Sequence, residues 1–203
     1  MKRIGVLLAV CFFLNPVLAD ETADLGKGKI LATNTRVEGG GYDRATVKGV
    51  IEAPLEKVWL VVTDYEHYGE FMPNTKENVV LTRTSQEIVY RSLLHMPFPL
   101  PNVAYETSVS IPTDHGTISF KMVPGTGKGV KDFDGGWVLS VFEGDANRTL
   151  AEYNVRMVPT VHWPKWVMRM MTKGTLTDIL KAIRKRAEES KSETPPASSA
   201  SQP

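Results

Sequence analysis

Apolar and polar residues alternate along much of the middle of the chain, which is the pattern of β-strands that bury one face. In the run from 103 to 111, for example, Tyr105, Thr107 and Val109 fall on one face. Turn-forming Asp, Asn, Gly and Pro residues separate the runs. The pattern predicts about seven antiparallel strands, at residues 45–51, 78–83, 88–94, 103–111, 117–123, 136–143 and 149–158. An earlier strand at 29–36 is only weakly indicated, because glycines 39–41 follow it.

A period of three to four residues marks the helices. Directly after Pro54, which the first turn of a helix tolerates, apolar residues recur at i, i+3, i+4 and i+7, namely Leu55, Val58, Trp59 and Val62. A short second helix carries Tyr68, Phe71 and Met72.

A long helix closes the predicted domain, beginning at Pro164 and reaching about residue 189 with a weak point at Gly174. Its apolar stripe is formed by Trp166, Val167, Met170, Met171, Leu176, Ile179, Leu180, Ile183 and Ala187. A sheet with one apolar face and a helix with one apolar stripe bury these surfaces against each other. The predicted fold class is therefore α+β.

The two ends of the chain differ from its middle. Residues 1–19 join a basic start to an apolar run and a small-residue end at Ala19, which is the pattern of a signal peptide cleaved near that residue. Residues 20–43 form a lead-in segment, residues 44–189 the single predicted domain, and residues 190–203 a Ser-, Pro- and Ala-rich tail predicted to be disordered. A periplasmic or secreted location is expected.

Composition argues against several classes of function. The net charge of the 203 residues is +1, so nothing indicates nucleic acid. Cys11 is the only cysteine, and the four histidines stand at no metal-ligand spacing, so neither a disulfide framework nor a metal site is predicted. No nucleophile motif or phosphate-binding loop is found, and we assign no catalytic residue and no cofactor.

The segment Ala53-Pro54-x-x-x-Val58-Trp59 followed by Asp64-Tyr65-x-x-Tyr68-x-x-Phe71-Met72-Pro73 carries a family resemblance. It resembles the beginning of START-like domains, a superfamily that includes polyketide cyclases, coenzyme-Q-binding START proteins and lipid-transfer domains. The resemblance implies a helix-grip fold, in which a curved antiparallel sheet of about seven strands wraps around the C-terminal helix. An internal apolar cavity between sheet and helix is implied as well.

Alternation and the helical stripe suggest which side chains line such a cavity. The candidates are Trp59, Tyr105, Phe120, Trp137, Tyr153, Met157, Trp166 and Met170. Phe98 and Leu100, in the Pro-rich segment 95–101, are candidates for a gate at the cavity mouth. Alternation does not say which face of a strand is inside, so the tyrosines are equally compatible with core positions. Arg91 and His95 are further polar candidates. For Arg91, a position facing solvent is favoured over one facing the cavity.

These features together predict an exported protein that binds or transfers a hydrophobic ligand, a lipid or an isoprenoid or quinone-like molecule, between sheet and C-terminal helix. Two alternatives stay open: a cofactor-free cyclase or dehydratase in the same cavity, and a packed interaction domain without a ligand. The start of the last helix combines Trp and Met with Lys165, Arg169 and Lys173, which favours transient contact with an anionic membrane surface.

Overall fold

The computed structural model describes residues 16–37, 42–98, 100–112, 114–161, 167 and 174–189. Within these residues, eight strands form one antiparallel sheet in the order β1-β2-β8-β7-β6-β5-β4-β3. The strands are β1 (Leu31–Thr35), β2 (Arg44–Ile51), β3 (Thr75–Arg83), β4 (Glu87–Leu94), β5 (Val103–Ser110), β6 (Thr117–Met122), β7 (Val130–Phe142) and β8 (Asp145–Pro159). The helices are α1 (Pro16–Gly26), α2 (Leu55–Val62), a 3₁₀ turn (Tyr65–His67), α3 (Tyr68–Phe71) and α4 (Leu176–Glu189).

The curved sheet and the C-terminal helix confirm the predicted α+β helix-grip fold. Helix α4 packs on the inner face of the sheet, where it contacts β2 and β8, and it also contacts α2. Leu180 and Ile183 of α4 are fully buried in the main core. A smaller apolar cluster on the other side joins Leu25 of α1 to Val50 and Phe142.

Four strands depart from the prediction. Strands β3 and β8 begin at Thr75 and Asp145, a few residues before the predicted starts at 78 and 149. Strand β1 exists, although only weakly indicated, and it makes eight strands where about seven were expected. It is an edge strand whose residues after Leu31 are exposed, so it shows no alternation. Strand β7 begins at Val130 and not at 136. The hydrophobic pattern does not detect the start of β7, because charged residues there are stabilised by ion pairs. Arg156 Nε lies 2.8 Å from Asp134 Oδ2, and Arg156 Nη2 lies 2.5 Å from Asp132 Oδ2.

The predicted last helix is described in part. Helix α4 covers its second half, Val167 is helical and fully buried, and Gly174 and Thr175 form a π-helical turn where the weak point was expected. Residues 162–166 and 168–173 lie outside the described residues, as do residues 1–15 of the predicted signal peptide and the predicted tail from 190. None of the described helices is both long and apolar enough to span a bilayer.

Gly135 allows the ring of Phe120 to pack directly against the backbone of β7. A Cβ atom at this position would lie 2.2 Å from the Asn154 carbonyl oxygen and 2.7 Å from the ring of Phe120. Since Phe120 is the cross-strand neighbour of Gly135, its ring lies over the glycine backbone. Only glycine fits there without moving the sheet or the ring.

Candidate functional site

A cavity of about 270 Å³ lies between the inner face of the sheet and α4. It is near the lower end of the size range of ligand pockets, about 300–1,000 Å³. Most of its lining is apolar or aromatic. The lining residues are Asp43, Ala45, Tyr68, Met72, Pro73, Asn74, Thr75, Asn78, Tyr90, Ser92, Leu94, His95, Met96, Pro97, Tyr105, Phe133, Tyr153, Val155, Met157, Thr175, Leu176 and Ile179.

Three tyrosines from three strands form the polar part of the inner wall. Tyr90, Tyr105 and Tyr153 are each less than a tenth exposed. Burial raises the pKa of Tyr90 to about 12, and it raises the pKa values of Tyr105 and Tyr153 well above the ordinary value for a tyrosine. At neutral pH all three phenols are therefore protonated, and each can donate a hydrogen bond but cannot serve as a base.

Other polar side chains of the wall are already bonded within the protein. The Tyr68 hydroxyl donates to the Val62 carbonyl at 2.5 Å. The Ser92 hydroxyl donates to Asn78 Oδ1 at 2.5 Å, and Asn78 Nδ2 donates to the Tyr65 carbonyl at 2.6 Å. These bonds fix the turn after α2 against β3 and β4, and they leave little free hydrogen-bonding capacity in these groups.

Contacts with neighbouring aromatic rings hold two of the phenols in place. The ring of Phe133 lies 5.0 Å from that of Tyr105, and Trp137 lies 4.5 Å from Tyr153. Phe120 stacks on Phe133 at 5.1 Å and contacts Tyr153 at 5.9 Å. Phe120 and Trp137 were predicted to line the cavity but do not. They share the inward face, yet the tyrosine and phenylalanine rings stand between them and the open space.

Trp59 also lies away from the cavity. It is buried in α2 and stacks on His115 at 4.7 Å, where Glu56 Oε2 lies 2.9 Å from His115 Nδ1. The apolar stripe of α2 thus places this side chain in the core. Tyr105, Tyr153 and Met157 do line the cavity, while Trp166 and Met170 lie outside the described residues.

The Pro-rich segment reaches the cavity through residues other than the predicted gate. Phe98 is 94 % exposed and Leu100 is half-buried against the core, and neither is part of the lining. Met96 and Pro97, the residues just before Phe98, line the cavity. The segment therefore borders the cavity and carries one exposed aromatic side chain beside it.

Charged groups among the described lining residues are confined to exposed positions. Asp43 and His95 line the cavity and are exposed. Arg91 points outward, 59 % exposed at its side chain, and its Nη2 lies 2.5 Å from Glu106 Oε1, which agrees with the favoured interpretation. Nothing among the described residues gathers three His, Cys, Asp or Glu side chains into a metal site.

Sequence reasoning missed several lining residues. Tyr90 and Ser92 lie in the predicted strand 88–94 but were not selected as candidates. The signal was available, because Ile88, Tyr90 and Ser92 alternate with exposed Glu87 and Arg91. For Tyr68 of α3 and Asn78 of β3 no comparable signal existed, because their place in the wall depends on how the segment after α2 packs against β3 and β4.

The far end of α4 is fastened to the α2–α3 region. Arg186 Nη2 donates to Asp64 Oδ2 at 3.3 Å, and its guanidinium lies 4.6 Å from the centre of the Phe71 ring. Glu188 accepts a hydrogen bond from the Glu52 backbone at 2.9 Å. Leu176 and Ile179, at the other end of the helix, are the residues that line the cavity.

Solved structures with the same fold include proteins of two kinds. A STAR-related lipid transfer protein from Xanthomonas axonopodis superposes with a TM-score of 0.66 at 21% identity, covering 78% of this chain and 93% of that chain. Human STARD10 superposes with a TM-score of 0.66 at 19% identity, covering 80% of this chain and 71% of that chain. The Zhui aromatase/cyclase from Streptomyces sp. R1128 superposes with a TM-score of 0.60 at 16% identity, covering 79% of this chain and 95% of that chain. At these identities the likeness is one of fold.

The sequence itself matches a family model. No curated protein matches the chain. The model described as polyketide cyclase / dehydrase and lipid transport matches residues 51–184, well over half of the 203 residues. The matched range runs from the end of β2 into α4 and so contains nearly all of the cavity wall. The chain therefore belongs to the polyketide cyclase/dehydrase and lipid transport family.

Proposed function

We propose that this protein is an exported carrier that binds one hydrophobic small molecule, a lipid or an isoprenoid or quinone-like compound, between the sheet and α4. The observation that carries the proposal is the cavity, which is lined mainly by apolar and aromatic side chains and has its described charged groups only at exposed positions. Burying an apolar chain gives about 0.8 kcal/mol per methylene, so such a wall supplies affinity without any charged contact.

The names of the structural relatives allow both carriage and catalysis. One neighbour is called a lipid transfer protein and another an aromatase/cyclase. Cyclisation or dehydration needs a group that takes up a proton near neutral pH. The raised pKa values of Tyr90, Tyr105 and Tyr153 argue against that role for the phenols of the inner wall. Among the described lining residues, His95, an exposed imidazole, is the group that a cyclase or dehydratase would have to use. We favour binding without turnover, because the phenols of the inner wall supply no base.

Native mass spectrometry of the protein, expressed with its full sequence and purified from cells, tests this function. We expect a stoichiometric apolar mass that organic solvent extracts, and a chain shortened by residues 1–19. An empty protein that also takes up no fluorescent lipid from vesicles contradicts the carrier function. Chemical conversion of the bound compound on incubation favours the cyclase or dehydratase alternative, and an uncut chain contradicts export through a cleaved signal peptide.

Delivery of a hydrophobic ligand requires contact with a membrane, and the exposed Phe98 beside the cavity supports such contact. Basic residues of the last helix suggest that the surface is anionic. We expect the protein to sediment with anionic vesicles and less so as salt rises. Phe98→Asp should weaken this association and slow uptake of a fluorescent lipid. Equal sedimentation with neutral vesicles in high salt contradicts the electrostatic part.

A further inference from the structure

We propose that the cavity selects an uncharged ligand carrying a hydrogen-bond acceptor oxygen, such as a ketone or ester carbonyl, and that the phenols of Tyr90, Tyr105 and Tyr153 are the donors available to that oxygen. This rests on the proposed function, since it names the chemical class of the molecule held in the same cavity. The argument comes from which polar groups of the wall are already bonded and which are not.

Among the described lining residues, the three phenols are the buried hydroxyl donors for which the structure shows no acceptor in the protein. Tyr68, Asn78 and Ser92 are engaged with the protein, as described above. By contrast, neither the Tyr105 nor the Tyr153 hydroxyl forms a hydrogen bond with any described residue, although both residues line the cavity. A ligand that fills the cavity takes the place of water at these hydroxyls, so an acceptor oxygen keeps their hydrogen bonds whereas a hydrocarbon leaves them unbonded.

Tyr90 stands beside a second unbonded hydroxyl. Its cross-strand neighbour Thr107 is fully buried, and Thr107 Oγ1 has no partner that satisfies hydrogen-bond geometry. The Thr107 side chain still acts on Tyr90. It lowers the pKa of Tyr90, although burial raises that pKa by more. An acceptor oxygen placed at Tyr90 would let the phenol donate to the ligand while Thr107 turns to donate to the phenol.

The phenols open into the same cavity. Thr107 is the cross-strand neighbour of Tyr90, and Ser92 is that of Tyr105, so the two tyrosines are diagonal neighbours on the inner face of β4 and β5. Tyr153 of β8 lines the same cavity. Three strands thus direct donors into one cavity, and contacts with Phe133 and Trp137 limit how far the Tyr105 and Tyr153 rings can turn.

The described part of the inner wall offers no buried charge to a charged ligand group. Among the described lining residues only Asp43 and His95 can carry charge, and both are exposed. A carboxylate or phosphate placed beside the phenols would lose its hydration and find no cation among the described residues of the inner wall, which is costly. A plain hydrocarbon would fill the space but leave the donors unbonded. A neutral molecule with an acceptor oxygen avoids both costs.

Three probes with the same ring system separate these possibilities: acetylnaphthalene, ethylnaphthalene and naphthoate, each substituted at the same ring position. Equilibrium dialysis with the full chain near neutral pH gives their dissociation constants. We expect the ketone to bind about tenfold more tightly than the hydrocarbon. It should bind at least about tenfold more tightly than the carboxylate.

Tyrosine-to-phenylalanine variants assign the effect to the phenols. We expect the triple variant Tyr90→Phe, Tyr105→Phe, Tyr153→Phe to bring the ketone to the affinity of the hydrocarbon, whose own binding stays unchanged or improves. Tyr65→Phe is the matched control, because Tyr65 stacks on Tyr90 at 4.9 Å but does not line the cavity. It should keep the preference for the ketone.

The outcomes separate the two proposals. Equal binding of ketone and hydrocarbon to the unaltered protein, or a preference that survives the triple variant, overturns the acceptor selectivity and leaves the hydrophobic carrier function standing. If naphthoate binds most tightly, selection for an uncharged ligand is wrong, and the hydrophobic carrier function again remains standing. If no probe binds and no apolar molecule copurifies, both proposals are wrong.

Discussion

Filling part of the cavity should shorten the longest ligand that the protein binds with full affinity. Ala45 of β2 lines the cavity and is almost completely buried. Ala45→Leu adds three carbon atoms that project into the open space. A methylene group is similar in size to a water molecule, which occupies roughly 30 Å³. The cavity of about 270 Å³ therefore has room for about nine methylene groups. The variant should therefore hold about six.

The expected magnitude follows from the free energy of burial. Each buried methylene contributes about 0.8 kcal/mol, which is roughly a fourfold change in the dissociation constant. Loss of three buried groups weakens a ligand that fills the cavity by about 2.4 kcal/mol, or about 60-fold. A ligand of six carbons or fewer should bind both proteins equally, because it occupies space that the leucine does not take.

Titration calorimetry with a series of straight-chain alcohols measures this effect. For the unaltered protein we expect affinity to rise with each carbon and to level off at about nine, and for Ala45→Leu at about six. Thr46→Leu is the control, because the neighbouring residue is not part of the lining. An equal loss for short and long alcohols would show that the leucine distorts the site. Unchanged binding of all alcohols would show that they bind elsewhere.

Three further predictions concern stability. Gly135→Ala should lower the free energy of unfolding by about 2–3 kcal/mol in urea titrations, because its Cβ atom would meet a backbone oxygen. Gly69→Ala is the control and should not destabilise the protein, since the nearest atom to its Cβ would be 3.9 Å away. Ile183→Ala should cost about 2–5 kcal/mol, since the side chain is fully buried between α4 and the sheet; a loss below 1 kcal/mol contradicts this packing. The hydrogen bond that the His67 ring donates to the Asp64 carboxylate raises the pKa of His67. Stability relative to His67→Gln should therefore be fully present below about pH 6.5 and be lost as pH rises through the raised pKa. Asp64→Asn should remove this dependence in urea titrations at several pH values.

The sequence determined the elements and the type of fold. Alternating residues located the strands at 45–51, 88–94 and 103–111 to within a few residues, because one face of each is buried and the other is solvated. The segment after Pro54 predicted both helix α2 and the family. Where charged side chains are paired with partners distant in sequence, as at Asp132 and Asp134 of β7, the pattern failed because those partners are invisible in a local window.

The tertiary structure alone decided which inward-facing residues reach the cavity. Phe120, Trp137, Tyr105 and Tyr153 all satisfy the same alternation, yet only the tyrosines border the open space while the other two support them from behind. Sequence period reports which face of a strand is buried, but not how deep a side chain lies within a curved sheet. That depth depends on packing between strands that are far apart in the chain. It also determines which hydroxyls are bonded to the protein and which remain free for a ligand.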